Sequence, residues 1–400
     1  MATNRITLFY IVTMFYWFST YTYVPLLSPY VLALGGSLAM SGVIIGSYGF
    51  SQMLVRIPLG VWSDRVGSRK PFIIGGVAVG TLSSLGFALT SSVWAALICR
   101  LLAGVAAASW VVFTVLYASY HSDESAPKAM GIISFFTSIG QLLATTLGGI
   151  VAQRFGWHAA FWLAVVGGTL GFLMSFGIKD NPPAKDAKGI QPKELIAVGR
   201  DKIVLGVSIL AVLAQIITFS TMFGFTPEDA THLGASKIDL SWLTLASTLP
   251  NALASLYSGG ILSRKLGERN VVVIGFALSA IFTCVIPTVH SLNWLYVTQA
   301  ANGLGQGLCM PVLMGLAIKH IDSARRATAM GFYQAIYSLG MFGGPSLVGW
   351  IGESFSLNTG FFCVATISLF AAMCTFVLAP KPHARRGPTM ESADIGQSTR

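Results

Sequence analysis

Twelve apolar runs dominate this chain, at 5–34, 38–63, 72–90, 94–119, 128–153, 157–179, 201–227, 237–263, 271–289, 292–319, 326–352 and 358–380. Roughly 20 mainly apolar residues are enough to cross a bilayer as a helix. In lipid each backbone N–H and C=O must be satisfied within its own segment, so such a chain is committed to helices. Charged residues make up only 10% of the sequence, against about 25% in a water-soluble domain. The expected fold is an all-α membrane protein with twelve transmembrane helices. The net charge of +10 does not point to nucleic acid, because the basic residues lie in short loops between the runs. The first run follows Met1-Ala-Thr-Asn-Arg-Ile without a small-residue cleavage site, so it is read as a spanning helix and not as a cleaved leader.

The chain also repeats itself at a fixed offset of 200 residues. Gly60-Val-Trp-Ser-Asp-Arg-Val-Gly67-Ser-Arg69 returns as Gly260-Ile-Leu-Ser-Arg-Lys-Leu-Gly267-Glu-Arg269. Ala129-Met130-Gly131 returns as Ala329-Met330-Gly331, and Ser138, Gly140, Gly149 and Phe155 as Ser338, Gly340, Gly349 and Phe355. Two copies in the same chain order predict two pseudo-two-fold six-helix bundles, 1–179 and 201–380. The polar, proline-bearing stretch 180–200 is the linker between them, and 381–400 reads as a disordered tail. In a membrane protein this arrangement signals a transporter with its site between the bundles.

Basic residues orient the chain. Of 25 Lys and Arg, 21 fall at the N-terminus, in the 2–3, 4–5, 6–7, 8–9 and 10–11 loops, or in the tail. Arg154 and Lys237 fall on the other side. The positive-inside rule then places both termini and the linker in the cytoplasm, and the short loops point to the plasma (inner) membrane. Cys99, Cys284, Cys309, Cys363 and Cys374 all sit inside apolar runs, without metal-ligand spacing, and are read as packing residues. No nucleotide-binding P-loop and no intramembrane cluster of His, Cys, Asp or Glu is present, so neither ATP hydrolysis, a metal site nor an enzyme is expected.

With the motif Gly60-x-x-x-Asp64-Arg65-x-Gly67-x-Arg69-Lys70 in the 2–3 loop, the chain resembles the major facilitator superfamily over about residues 5–380. The resemblance implies alternating access. Two bundles rock about a cavity lined by helices 1, 4, 7 and 10, and Gly60, Asp64, Arg65, Gly67, Arg69 and Lys70 form a gating motif. The glycines allow tight turning and close helix approach. Arg65, Arg69 and Lys70 suit an anionic leaflet. By the resemblance, Asp64 latches onto the N-terminus of helix 11 when the outside is open, where the helix dipole favours a carboxylate. The second copy carries Arg264 in place of the aspartate, so Arg264 and Lys265 are expected to pair with Asp123 and Glu124 as a second latch of opposite polarity.

Charged side chains within spans are costly and usually functional. Arg56 and Arg100 are the two such residues, and Arg100-Leu-Leu-Ala-Gly104 is similar to the helix-4 motif of proton-coupled drug exporters. No Asp or Glu lies deep in a span, which leaves Asp64 or the pair Glu228/Asp229 as carriers of a coupling proton. Tyr16, Gln215, Phe219, Asn302 and Gln306 lie mid-span in the lining helices and join Arg56 and Arg100 as candidate substrate or coupling residues. Helix 1 is aromatic and proline-broken, resembling the exporter branch, although helix 5 lacks that branch's glycine-proline motif. The first expectation is proton-coupled export of small amphipathic compounds, by a monomer without a cofactor. Uptake or exchange of an organic anion or polar metabolite through Arg56 and Arg100 is the alternative. A non-transporting receptor is a third, disfavoured by the intact gating motif.

Overall fold

The computed structural model describes residues 2–121, 126–180, 192–321 and 325–379. Among these, every regular element is a helix. Helix 1 comprises Ala2–Tyr21, a 3-10 turn Val24–Leu26 and Leu27–Ala33; helix 2 is Leu38–Val66, helix 3 Lys70–Leu89, and helix 4 Val93–Ala108 with Trp110–Ala118. Helix 5 is Ala126–Phe155 and helix 6 Trp157–Ser175. Helix 7 comprises Lys202–Ser220, a π-turn Thr221–Phe225 and Thr226–His232, and helix 8 Lys237–Tyr257, a π-turn Ser258–Leu262 and Ser263–Leu266. Helices 9 to 12 are Glu268–Val285, Leu292–Lys319, Arg326–Ser354 and Leu357–Leu378. Among the described residues, nine of these rods are long and apolar enough to cross a membrane, while helices 1, 8 and 11 are more polar than that limit.

The interruptions follow from the sequence. In helix 1, Pro25 and Pro29 lack N–H donors, and the helix tightens at Val24–Leu26. The apolar run 94–119 predicts a continuous helix. It breaks at Ser109, whose N–H and hydroxyl both donate to Ala106 O, at 2.9 and 2.7 Å. Helix 2 ends at Gly67, whose φ of +67° suits glycine. The repeated loop departs here, because the Gly259-Gly260 pair loosens helix 8 into a π-turn before Gly267.

Within the stretch 180–200, Pro192–Gly199 is a short helix, and Asp180 is half-buried against the first half. Asp180 caps helix 3 by accepting from the N–H groups of Arg69, at 2.9 Å, and Lys70, at 3.3 Å. Asp123, Glu124, linker residues 181–191 and the tail 381–400 lie outside the described residues.

Repeat-related glycines make equivalent helix crossings. Gly140 presses helix 5 onto Met14 O of helix 1, and Gly340 presses helix 11 onto Val212 O of helix 7. Gly149 faces Ser241 of helix 8, and Gly349 faces Leu38 of helix 2, so this second pair joins the two halves. Among the described residues, the most extensive helix pairing is between helices 2 and 11, and it reaches the end opposite the gating motif. There Gly42 meets Pro345 O and Gly46 meets Phe342 O. Large apolar side chains such as Trp94, Leu256 and Val377 are exposed outside the bundles, as a lipid-facing surface requires.

Candidate functional site

A cavity of about 390 Å³ lies between the halves. Trp17, Tyr21, Tyr48, Trp110, Phe219, Phe223 and Tyr337 form its aromatic walls. Gln52, Gln141, Gln215, Thr244, Thr248, Asn251 and Gln306 supply polar groups. Helix 8 contributes a stripe at 244, 248 and 251, the i, i+4, i+7 spacing of one helix face.

Arg56 is the charged side chain among the described residues lining this cavity. It is 5% exposed, and its guanidinium donates to Gln52 Oε1 and, at 3.3 Å, to Tyr337 Oη. Gln52 is one helical turn earlier on helix 2, while Tyr337 belongs to helix 11, so Arg56 spans the interface. Two of its five N–H donors are engaged in this way, and its buried Nε has no partner.

Three expected cavity residues sit elsewhere. Tyr16 is buried inside the first half, where its hydroxyl donates to Ala106 O at 2.6 Å and satisfies the break in helix 4. Asn302 turns away from the cavity and donates from Nδ2 to Thr283 Oγ1 of helix 9 at 3.0 Å. Arg100 is one layer behind the wall. Its guanidinium lies 4.3 Å from the Tyr48 ring centroid and 6.0 Å from that of Tyr23, with Nε and Nη1 unpartnered. Cation–π attraction to a desolvated ring contributes about 2 kcal/mol and steadies a charge of this kind. Gln215, Phe219 and Gln306 do line the cavity; Gln306 donates to Ser279 Oγ at 3.3 Å, while its Oε1 is unpartnered.

The cavity is sealed at the far end from the motif. Ser241 Oγ donates to Thr145 O at 2.6 Å, and Lys237 Nζ lies 4.3 Å from the Trp157 ring centroid. Contacts between helices 2 and 11 continue down to Arg56 and Tyr337. Beyond that level, Asp64 pairs with Arg69 of its own loop at 3.3 Å. Lys70 Nζ donates to Phe176 O at 2.7 Å, tying the loop to helix 6, while Arg65 is exposed. In the second copy, Arg264 Nε donates to Gly260 O at 3.2 Å, and Lys265 is exposed.

The sequence of these two halves matches the family model of the Major Facilitator Superfamily over residues 9–228 and 207–397. The chain belongs to that superfamily. It is a multi-pass membrane protein and a secondary transporter, not an enzyme. It is 29% identical over 341 residues to the inner membrane transport protein YajR of Escherichia coli strain K12, covering 83% of this chain and 73% of that one. It is 23% identical to the class C tetracycline resistance protein of Escherichia coli, covering 77% and 78%. Its fold superposes with a TM-score of 0.79 on a bacterial homologue of the human lysosomal transporter Spinster, crystallised inward-facing and occupied, at 16% identity over 94% of this chain and 96% of that one.

Proposed function

We propose that this transporter exports small amphipathic compounds that are neutral or anionic, by alternating access and as a monomer. The charge skew of the loops puts the motif end in the cytoplasm, so the state described is closed outside. The observation that carries the reading is the cavity lining, in which aromatic walls surround a single guanidinium and several amides. A cation entering would face Arg56 unneutralised, whereas an anion gains charge-assisted hydrogen bonds. The relative named for tetracycline resistance supports export. Uptake or exchange of an organic anion rests on the same arginine and differs in direction of accumulation.

A thermal-shift series on the purified protein tests the substrate class. A ligand that binds only the folded state stabilises it by about 2.7 kcal/mol at roughly 100 times Kd. Amphipathic anions are expected to raise the unfolding midpoint of the wild type, and Arg56→Ala is expected to weaken their binding roughly 10- to 100-fold. Stabilisation by lipophilic cations alone, equal in both proteins, would sink the reading.

For the coupling proton we assign Glu228. It is 7% exposed, and its Oε1 lies 3.4 Å from His232 Nε2 on the same helix. It lines a second cavity of about 410 Å³ with Pro29, Gln153, Trp157 and Lys237, on both sides of the interface between the halves. Asp229 is its neighbour in sequence, and Asp239 follows on helix 8. Parting of the halves would therefore admit water to this carboxyl. Glu228→Gln is expected to abolish transport driven by a pH gradient while leaving substrate counterflow intact. Unchanged gradient-driven transport in that variant would reject the assignment.

A further inference from the structure

The far end carries two hydrogen bonds related by the internal repeat. Helix 11 ends with Glu353, whose Oε2 accepts from the N–H of Ala39 in the first turn of helix 2, at 2.9 Å. Helix 5 ends with Gln153, whose Oε1 accepts from the N–H of Lys237 in the first turn of helix 8, at 3.0 Å. Gln153 and Glu353 differ by 200, the repeat offset, and each side chain crosses from one half to the other. The receiving helices are prepared in the same way. Each follows a left-handed glycine, Gly35 at φ +82° and Gly234 at φ +84°, and then a serine N-cap, Ser37 or Ser236.

The first N–H groups of a helix have no partner within it. Ser37 satisfies Met40 N at 3.2 Å, and Glu353 takes Ala39 N beside it. On helix 8, Ser236 and Asp239 close a capping box, and Gln153 takes Lys237 N. Separation of the halves at this end must uncap both helices at once. Just below each cap, Gly349 and Gly149 bring the backbones together.

We infer that Glu353 and Gln153 are a reciprocal pair of helix caps that hold the outer gate shut and set the ratio of inward-open to outward-open protein. This rests on the alternating-access reading above. Nothing in the gating motif assigns these residues, and they act at the opposite end of the molecule from Asp64. The shared feature is a side-chain oxygen acceptor, carboxylate in one half and amide in the other. Glu353→Gln therefore reproduces what Gln153 already does.

Hydrogen–deuterium exchange on the full chain in nanodiscs, read by mass spectrometry, tests the inference without a substrate. Loss of one cap, in Glu353→Ala or Gln153→Ala, is expected to shift the ratio roughly fivefold, and loss of both roughly 25-fold. The signature is reciprocal: faster exchange at the outer ends of helices 2, 5, 8 and 11, and slower exchange at their motif ends. Glu353→Gln is expected to match wild type. Faster exchange confined to residues 38–41 in Glu353→Ala, with the motif end unchanged, would mean local fraying and overturn the inference. So would Glu353→Gln opening as far as Glu353→Ala. Gly42→Val, which wedges the same seam independently of the caps, separates the two levels. If Gly42→Val gives the reciprocal pattern and the cap variants do not, the caps fail alone. If none gives it, alternating access fails.

Discussion

Gly303→Val is expected to leave little folded protein. Gly303 sits where helix 10 crosses helix 8 inside the second half, and a Cβ added there would lie 2.0 Å from Ser247 O and 3.0 Å from Ser247 Cα. The obstacle is backbone, and no rotamer change relieves it. Overpacking a filled core costs about 1–3 kcal/mol, and a branched side chain against a neighbouring backbone belongs at or above the top of that range. Such a cost is a large share of a total stability of about 5–15 kcal/mol. The crossing lies within one bundle, so rocking of the halves cannot release the strain. Gly315, on the same helix, is the control, because a Cβ there meets nothing within 4 Å. Gly315→Val should retain wild-type yield and unfolding midpoint, and Gly303→Val should lose both. Equal yields would mean that helices 8 and 10 are not packed as described.

These crossings also show how far the sequence reaches. The apolar runs and the 200-residue repeat announce the twelve helices and their pairing into halves, because lipid allows few alternatives to a helix. Gly140, Gly149, Gly340 and Gly349 appear in the repeat before any coordinates, and each becomes a crossing point. The interior of the cavity is less legible. Tyr16 and Asn302 have the right depth on lining helices, yet a rotation about the helix axis decides which neighbour a side chain meets, and depth does not encode that angle. The break at Ser109 adds to this, because it offers Ala106 O to Tyr16. Arg56 and Arg100 look alike as intramembrane cations; only packing shows that one lines the cavity and the other stands behind Tyr48. The stripe Thr244, Thr248, Asn251 could have been found from helical spacing alone. Asp180 could not, since an aspartate before Asn-Pro-Pro reads as a linker until helix 3 is seen to begin beside it.

Gly42→Val is expected to fold and to stop transport. A Cβ at Gly42 would lie 2.1 Å from Pro345 O, a clash as severe as that at Gly303. The difference is that Gly42 and Pro345 belong to opposite halves, so the clash exists only while the outer seam is shut. An outward-open molecule avoids it, and the strain becomes a bias between two states instead of a loss of stability. A bias of about 3 kcal/mol shifts a two-state ratio by more than 100-fold, which takes two equally populated states to more than about 99% outward-open. Such a protein would still bind substrate from that side but could not return an empty or loaded cavity to the cytoplasm. The measurements are yield, unfolding midpoint and efflux from loaded vesicles. Near-normal yield with efflux reduced at least tenfold supports a moving seam between helices 2 and 11. Loss of folding equal to that of Gly303→Val would instead make this seam a fixed part of the core, and the halves would then have to move apart along some other surface.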